Sequence, residues 1–255
     1  MMTVERLASK VPAVTLAFWV AKIMATTLGE TGGDAVSMSM NLGYLVATGI
    51  FTAIFLVALG LQVGAKRYHP YTYWFLIVAT TTVGTTISDY LDRTAGLGYP
   101  LASAILFSIV IVILIAWRFT TGSISVTHIA DRRNELFYWS AITVSNTLGT
   151  ALGDYTSDSL DMGFDGGALL FGGLIAVIAV LYFVTKIPRT ILFWAAFILT
   201  RPLGATLGDI LTKPLKQGGL NLDRIESSAV LLVAMVLVIA FTSLRKPAPM
   251  GAAAH

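Results

Sequence analysis

The sequence predicts an all-α membrane protein. It has eight transmembrane helices from four tandem two-helix repeats, with four parallel motif helices inside and four apolar helices outside. Three observations predict this. The chain of 255 residues is 56% hydrophobic and only 12% charged, with mean hydropathy +0.78, whereas soluble domains carry about 25% charged residues. Eight segments are long and apolar enough to approach the roughly 20 residues that a span needs. One Trp–Gly–Asp pattern recurs four times at fixed offsets.

The segments run over 12–32, 42–63, 70–90, 99–118, 136–156, 167–185, 189–211 and 227–243. All are expected to be helices, because an open sheet leaves its backbone unsatisfied in lipid. The first resembles a signal peptide in length, but its pattern returns later in the chain, which argues that it stays in the mature protein. The second, fourth, sixth and eighth contain the uncharged runs "LVATGIFTAIFLVALG", "LASAILFSIVIVILIAW", "LLFGGLIAVIAVLYFV" and "AVLLVAMVLVIAF". These are apolar nearly all round and suit a lipid-facing ring.

The first, third, fifth and seventh segments carry the pattern. Trp19, Trp74, Trp139 and Trp194 each precede a glycine by ten residues: Gly29, Gly84, Gly149 and Gly204. Four residues later stand Gly33, Ser88, Gly153 and Gly208, followed at once by Asp34, Asp89, Asp154 and Asp209. The whole chain is therefore one membrane domain, with repeats at 10–65, 66–118, 134–186 and 187–245 and a disordered tail over 246–255.

Loop charge gives the orientation. Eleven Lys or Arg residues, from Arg6 and Lys10 to Arg245 and Lys246, fall on one side of the spans. Arg93, Lys213, Lys216 and Arg224 fall on the other, and Lys22 and Arg201 lie within spans. The positive-inside rule puts both termini in the cytoplasm. The formal charge of +3 then reflects cytoplasmic loops, not a nucleic-acid partner. The expected partners are the lipid bilayer, a small ion or small molecule, and a second copy of the chain. No stretch between spans is long enough for a soluble domain.

This chain resembles a family of bacterial membrane proteins made of four tandem repeats of unknown function, with two transmembrane helices and one Trp per repeat. The match covers nearly the whole chain. The resemblance implies the architecture and an inner-membrane location, and it implies no activity.

Stepping about 100° per residue from the first glycine puts Trp, both small residues and the variable positions −7, −3 and +1 on one arc, with Asp at its edge. At about 1.5 Å per residue, the Trp residues mark the cytoplasmic end, the glycines the midplane and the aspartates the outer half. Small-xxx-small spacing lets helices approach closely, so the glycines read as packing. The Trp residues read as interfacial anchors or packing groups.

The repeats disagree where they face the centre. Position −7 is Lys22, Ile77, Ile142 and Phe197; −3 is Thr26, Thr81, Asn146 and Arg201; +1 is Glu30, Thr85, Thr150 and Ala205. An intramembrane charge is costly and faces a polar interior or a partner. Glu30 is expected to be neutralised by Lys22, Arg201 or both, either as a functional site or as an ion pair fixing helix register. Asp89 and Asp209 have Arg93 and Lys213 at i+4. Asp34 and Asp154 lack such a local cation and are the better candidates for binding a cation or proton. The candidate ion-binding set is thus Lys22, Thr26, Glu30, Asp34, Thr81, Asp89, Asn146, Asp154, Arg201 and Asp209.

With no cysteine, thiol chemistry, disulfides and soft-metal sites are excluded. The spans hold no His, no Ser–His pair and no HExxH, so no enzyme is expected; no phosphate-binding loop and no cofactor are expected either. Hard oxygen ligands point to a proton-coupled or hard-cation transporter or channel. An anion transporter using Lys22 and Arg201 is an alternative, as is a membrane sensor or assembly subunit with a structural ion-pair core.

Overall fold

A computed structural model describes residues 9–126, 129 and 131–244. The tail expected over 246–255 lies outside them. The described residues form eight α-helices and no strand: α1 (Leu16–Asp34), α2 (Gly43–Gly64), α3 (Pro70–Asp89), α4 (Tyr99–Thr121), α5 (Arg132–Asp154), α6 (Gly163–Val184), α7 (Arg189–Thr212) and α8 (Arg224–Leu244).

Local chemistry sets the ends. Thr15 and Asp131 cap α1 and α5 by accepting from the N–H of Phe18 and Asn134, which fills donors that no helical carbonyl reaches. Prolines open α3 and α4, where a missing N–H costs nothing. Gly122, at φ +79°, ends α4 in a left-handed cap. Directly after Asp34, Asp89 and Asp154 the chain widens into a π-helical turn, closed by bonds such as Met40 N–H to the Ala35 carbonyl at 2.9 Å. In the fourth repeat α7 instead runs past Asp209 to Thr212.

Helices α1, α3, α5 and α7 form a closed ring, each packed on the next. Helix α2 packs on α3, α4 on α5, α6 on α7 and α8 on α1. Each apolar helix therefore covers the motif helix of the following repeat, and α8 closes the circle on the first. The short connection over 65–69 explains the pairing of α2 with α3, since sequential elements joined by a few residues pack as neighbours.

Five helices are long and apolar enough to cross a membrane: α2, α4, α6, α7 and α8. In α2, α6 and α8 only 11% of the most apolar stretch is buried, against 72% in α7. The outer helices thus present apolar side chains outward, among them Leu45, Val57, Phe107, Phe183 and Val233. Helices α1, α3 and α5 are less apolar, because their buried faces carry Thr, Asn, Lys and Glu.

The motif glycines are contact notches. A Cβ on Gly29 would overlap Thr81, one on Gly149 would overlap Arg201, and one on Gly204 would overlap Thr26. Gly84 likewise faces Asn146, and Gly208 faces Glu30. Position −3 of each helix therefore sits against the glycine of the helix before it, around the whole ring. Gly33 meets Thr85 and Thr86 in the same way one turn further along.

At one end of the ring an aromatic layer seals the bundle. Phe18, Tyr73, Tyr138 and Phe193 each stand one residue before a motif Trp. Each ring touches the next repeat's Trp: Phe18–Trp74 at 5.6 Å, Tyr73–Trp139 at 5.5 Å, Tyr138–Trp194 at 6.3 Å and Phe193–Trp19 at 5.6 Å. Trp74, Trp139 and Trp194 are buried. Each motif Trp packs on an aromatic ring of the neighbouring helix, and Trp19 alone of the four stays half-buried.

The same end carries a buried ion pair. Lys10 Nζ lies 2.8 Å from Glu135 Oε2 and also donates to the Val63 carbonyl at 3.1 Å. Its backbone N–H donates to Ile129 and its carbonyl accepts from Gln62. The segment before α1 is thereby pinned to α2, α5 and the loop before α5. Lys10 counts in the sequence among the basic residues outside the spans, and in the structure it is buried.

Candidate functional site

Inside the ring, three polar levels follow the aromatic layer. At the first, Lys22 is fully buried and donates to Asn146 Oδ1 at 3.1 Å. Its Nζ also lies 4.2 Å above the Phe197 ring, the geometry of a cation–π contact. The Asn146 amide passes on to Thr80 Oγ1 at 3.0 Å. These groups come from four helices, so the buried ammonium is held by α1, α3, α5 and α7 together.

At the second level Arg201, also fully buried, pairs with Glu30 Oε2 through Nη2 at 2.9 Å. The same nitrogen contacts Thr85 Oγ1 and, at 2.7 Å, Thr150 Oγ1. Of the two cations expected to neutralise Glu30, Arg201 does so and Lys22 goes to Asn146. Arg201 Nε and Nη1 have no hydrogen-bond partner among the described residues. Arg201 is followed by Pro202 within α7, which removes the backbone bond to the carbonyl four residues back.

The third level holds the four aspartates, all buried. Arg93 lies 3.4 Å from Asp89 Oδ1 in its own repeat and 3.1 Å from Asp154 Oδ2 in the next. Lys213 does the same across the ring, 3.1 Å from Asp209 Oδ1 and 3.1 Å from Asp34 Oδ2. Arg224 Nε adds a contact to Asp34 at 3.6 Å. Asp34 and Asp154 have no cation at i+4, as the sequence predicts, but each receives one from the preceding repeat around the ring. Burial alone would lower the Lys213 ammonium, but the Asp209 and Asp34 carboxylates raise it above the ordinary lysine range.

Oxygens of Glu30, Asp34 and Asp209 lie within 4.8 Å of one another, so the second and third levels are continuous. A cavity of about 470 Å³ opens beside the third level, with Arg93, Asp154, Ser157, Asp158, Asp209 and Lys213 among its lining. Neither Glu30 nor Arg201 lines it.

Two candidates are not brought into this cluster of charges. Thr26 Oγ1 donates within its own helix and lies 3.2 Å from the Thr200 carbonyl. Thr81 Oγ1 bonds the Val78 carbonyl and lies 3.1 Å from that of Ala25. Both fill the neighbouring glycine notch, so they join backbones and face no cavity. Conversely, Arg93, Lys213 and Arg224 contact the aspartates and Ser157 lines the cavity, and the motif alone does not reveal them. The recurrence of a basic residue nine after the glycine in the second and fourth repeats is the available signal for Arg93 and Lys213.

No curated protein and no solved structure matches the chain. A family model described as Repeat of Unknown Function (DUF347) matches four times, at residues 17–68, 72–123, 137–187 and 192–247. Each match contains one motif helix and the apolar helix after it. The four matches cover most of the sequence, and the chain belongs to this family of tandem repeats.

Proposed function

We propose that the protein is a proton-coupled transporter of a small charged solute, spanning a bacterial inner membrane eight times with both termini in the cytoplasm. The outward apolar faces of α2, α4, α6 and α8 meet lipid and shield the more polar α1, α3, α5 and α7. The excess of basic residues on the loops at the aromatic end supports the orientation, so the cavity opens to the periplasm.

One observation carries this reading. At one end of a parallel four-helix ring the buried carboxylates Asp154 and Asp209 line a cavity, with Asp34, Asp89 and Glu30 buried nearby, and aromatic packing closes the other end. Buried carboxylates at membrane depth are costly and are found along ion and proton paths. Each here is held by a cation from another helix or turn, so a proton arriving on one carboxylate releases a side chain that bridges two repeats. Protonation of Glu30 frees Arg201; protonation of Asp154 loosens Arg93. Such releases are the differential contacts that a two-state carrier needs. The three oxygens of Glu30, Asp34 and Asp209 favour a hard cation as the second reading, with Lys213 giving up its place to the incoming ion.

Purified protein in liposomes carrying an internal pH indicator tests the proposal. Addition of transported solute outside moves protons with it, and E30Q/R201Q, which strands neither charge in the interior, abolishes the signal. Absence of proton, cation and anion movement in wild-type vesicles contradicts the reading.

A further inference from the structure

We infer that the groove at the start of α5 is a binding site for one anionic phospholipid, with the phosphate on Arg132 and Arg133 and an acyl chain over Leu136 and Phe137. It rests on the placement of the chain in a membrane and not on transport.

The groove has a volume of about 480 Å³ and is lined by Arg132, Arg133, Leu136, Phe137 and Ser140. Arg132, Leu136 and Ser140 follow one another at i, i+4 and i+8, and Arg133 and Phe137 at i and i+4. The five therefore share one face of α5. All but Phe137 are exposed. The half-buried Phe137 ring lies parallel to that of Trp117 at 6.3 Å. The Trp117 indole in turn donates to Asn134 Oδ1 at 2.6 Å, so α4 holds the apolar floor of the groove in place.

The third repeat departs from the others at this point. Seven and six residues before the motif Trp, the first repeat has Pro12 and Ala13, the second Arg67 and Tyr68, and the fourth Ile187 and Pro188. Helices α1, α3 and α7 begin after these positions, whereas α5 begins at Arg132. The extra helical residues of α5 carry both arginines outward past the aromatic layer. Asp131 caps this end of the helix, so the arginine side chains, not unfilled N–H groups, supply the attraction. At the usual helical rise, Phe137 stands about 3 Å and Arg132 about 10 Å outward of Trp139. The groove thus spans the boundary between hydrocarbon and headgroups.

Charge selects an anionic lipid. Among the described residues neither arginine pairs with a carboxylate. The acids beside them in sequence are Asp131, which accepts from Asn134, and Glu135, which is paired with Lys10. Two arginines therefore stand against one carboxylate. The other described loops and helix ends at this end add Lys66, Arg67, Arg118, Lys186 and Arg189 and no acid. A phosphodiester offsets the excess and suits the guanidinium fork, and basic pockets at a membrane surface take anionic headgroups. Leu136 is 48% exposed. A soluble phosphate compound leaves it bare, whereas an acyl chain covers it.

Native mass spectrometry of the full chain in detergent tests this, with phosphatidylglycerol, phosphatidylcholine and free glycerol phosphate offered at equal concentration. One phosphatidylglycerol per chain is expected to be retained, roughly tenfold above phosphatidylcholine, with no retention of glycerol phosphate. R132Q/R133Q changes two exposed side chains, so its melting temperature without added lipid matches that of wild type, and the preference for phosphatidylglycerol is lost. K66Q/R67Q removes two charges at the same end but outside the groove, and keeps the preference. Equal retention of both lipids, equal loss in the two double variants, or binding of glycerol phosphate in place of lipid overturns the assignment. The binding is read without transport: absence of flux in vesicles leaves it standing, and absence of lipid retention leaves the transport reading standing.

Discussion

Arg201 on the last motif helix and Glu30 on the first form a fully enclosed ion pair, Nη2 to Oε2 at 2.9 Å. It joins helices 171 residues apart in sequence and lies between the aspartate level and the buried Lys22. The pair appears once in a structure that otherwise repeats itself four times.

Removing one partner strands the other in the interior. E30A and R201A are each expected to cost about 3–5 kcal/mol, the range for a broken buried pair. The double variant is expected to cost less than the sum, because neither charge is then left alone. Melting temperatures of the four proteins in one detergent measure the coupling; strict additivity would contradict the pairing.

Gly149 lies against Arg201 Cβ and Cγ and Pro202 Cδ. G149A must displace this buried arginine and is expected to cost about 1–3 kcal/mol, as overpacking does. Gly173, on the outer helix α6, has nothing within 4 Å of where an added methyl group would stand. G173A is expected to be neutral or slightly stabilising, since alanine is the better helix former. Thermal unfolding of the two variants checks both.

Asp131 gives a pH dependence of known sign. Partial burial pushes its carboxyl up, but hydrogen bonds from Asn134 and from the Arg133 N–H outweigh this and hold it below the ordinary range. A depressed folded value stabilises the protein above the unfolded aspartate value of about 3.9, and that contribution is lost as pH falls through the lower folded value. D131A is therefore expected to cost about 1 kcal/mol, a usual capping loss, at neutral pH. The difference from wild type shrinks in strong acid. Melting curves from neutral to acid pH report it.

The fourfold architecture was legible because the repeat lies in the residue types themselves. Trp19, Trp74, Trp139 and Trp194 share one offset from a glycine, and a glycine at a notch cannot be exchanged without a clash. The disagreement among repeats likewise pointed to Lys22, Glu30, Asn146 and Arg201, all of which meet in the interior. Partnering was less legible. An i, i+4 rule sees only one helix, so it gave Asp89 and Asp209 cations and left Asp34 and Asp154 bare. Ring closure supplies Lys213 to Asp34 and Arg93 to Asp154, and only the tertiary arrangement carries that information. Thr26 and Thr81 look like ligands by composition; the glycine notches opposite them turn their hydroxyls to backbone carbonyls instead. The aromatic layer has its own signal in the sequence: Phe or Tyr precedes every motif Trp.

Transport as proposed requires a route open at the aspartate end and closed at the aromatic end, admitting solute from one side at a time. The chain has no cysteine, so single cysteines report access directly. D158C, exposed at the cavity, and I77C, fully buried just beyond the aromatic layer, are treated with a charged thiol reagent on either side of sealed vesicles. Rapid modification of D158C from the periplasmic side is expected, with protection of I77C from both sides in the resting protein. Access of I77C from the cytoplasmic side follows only when solute and protons are supplied together. Modification of I77C as fast as D158C at rest, or protection of both under every condition, would contradict a route of this kind.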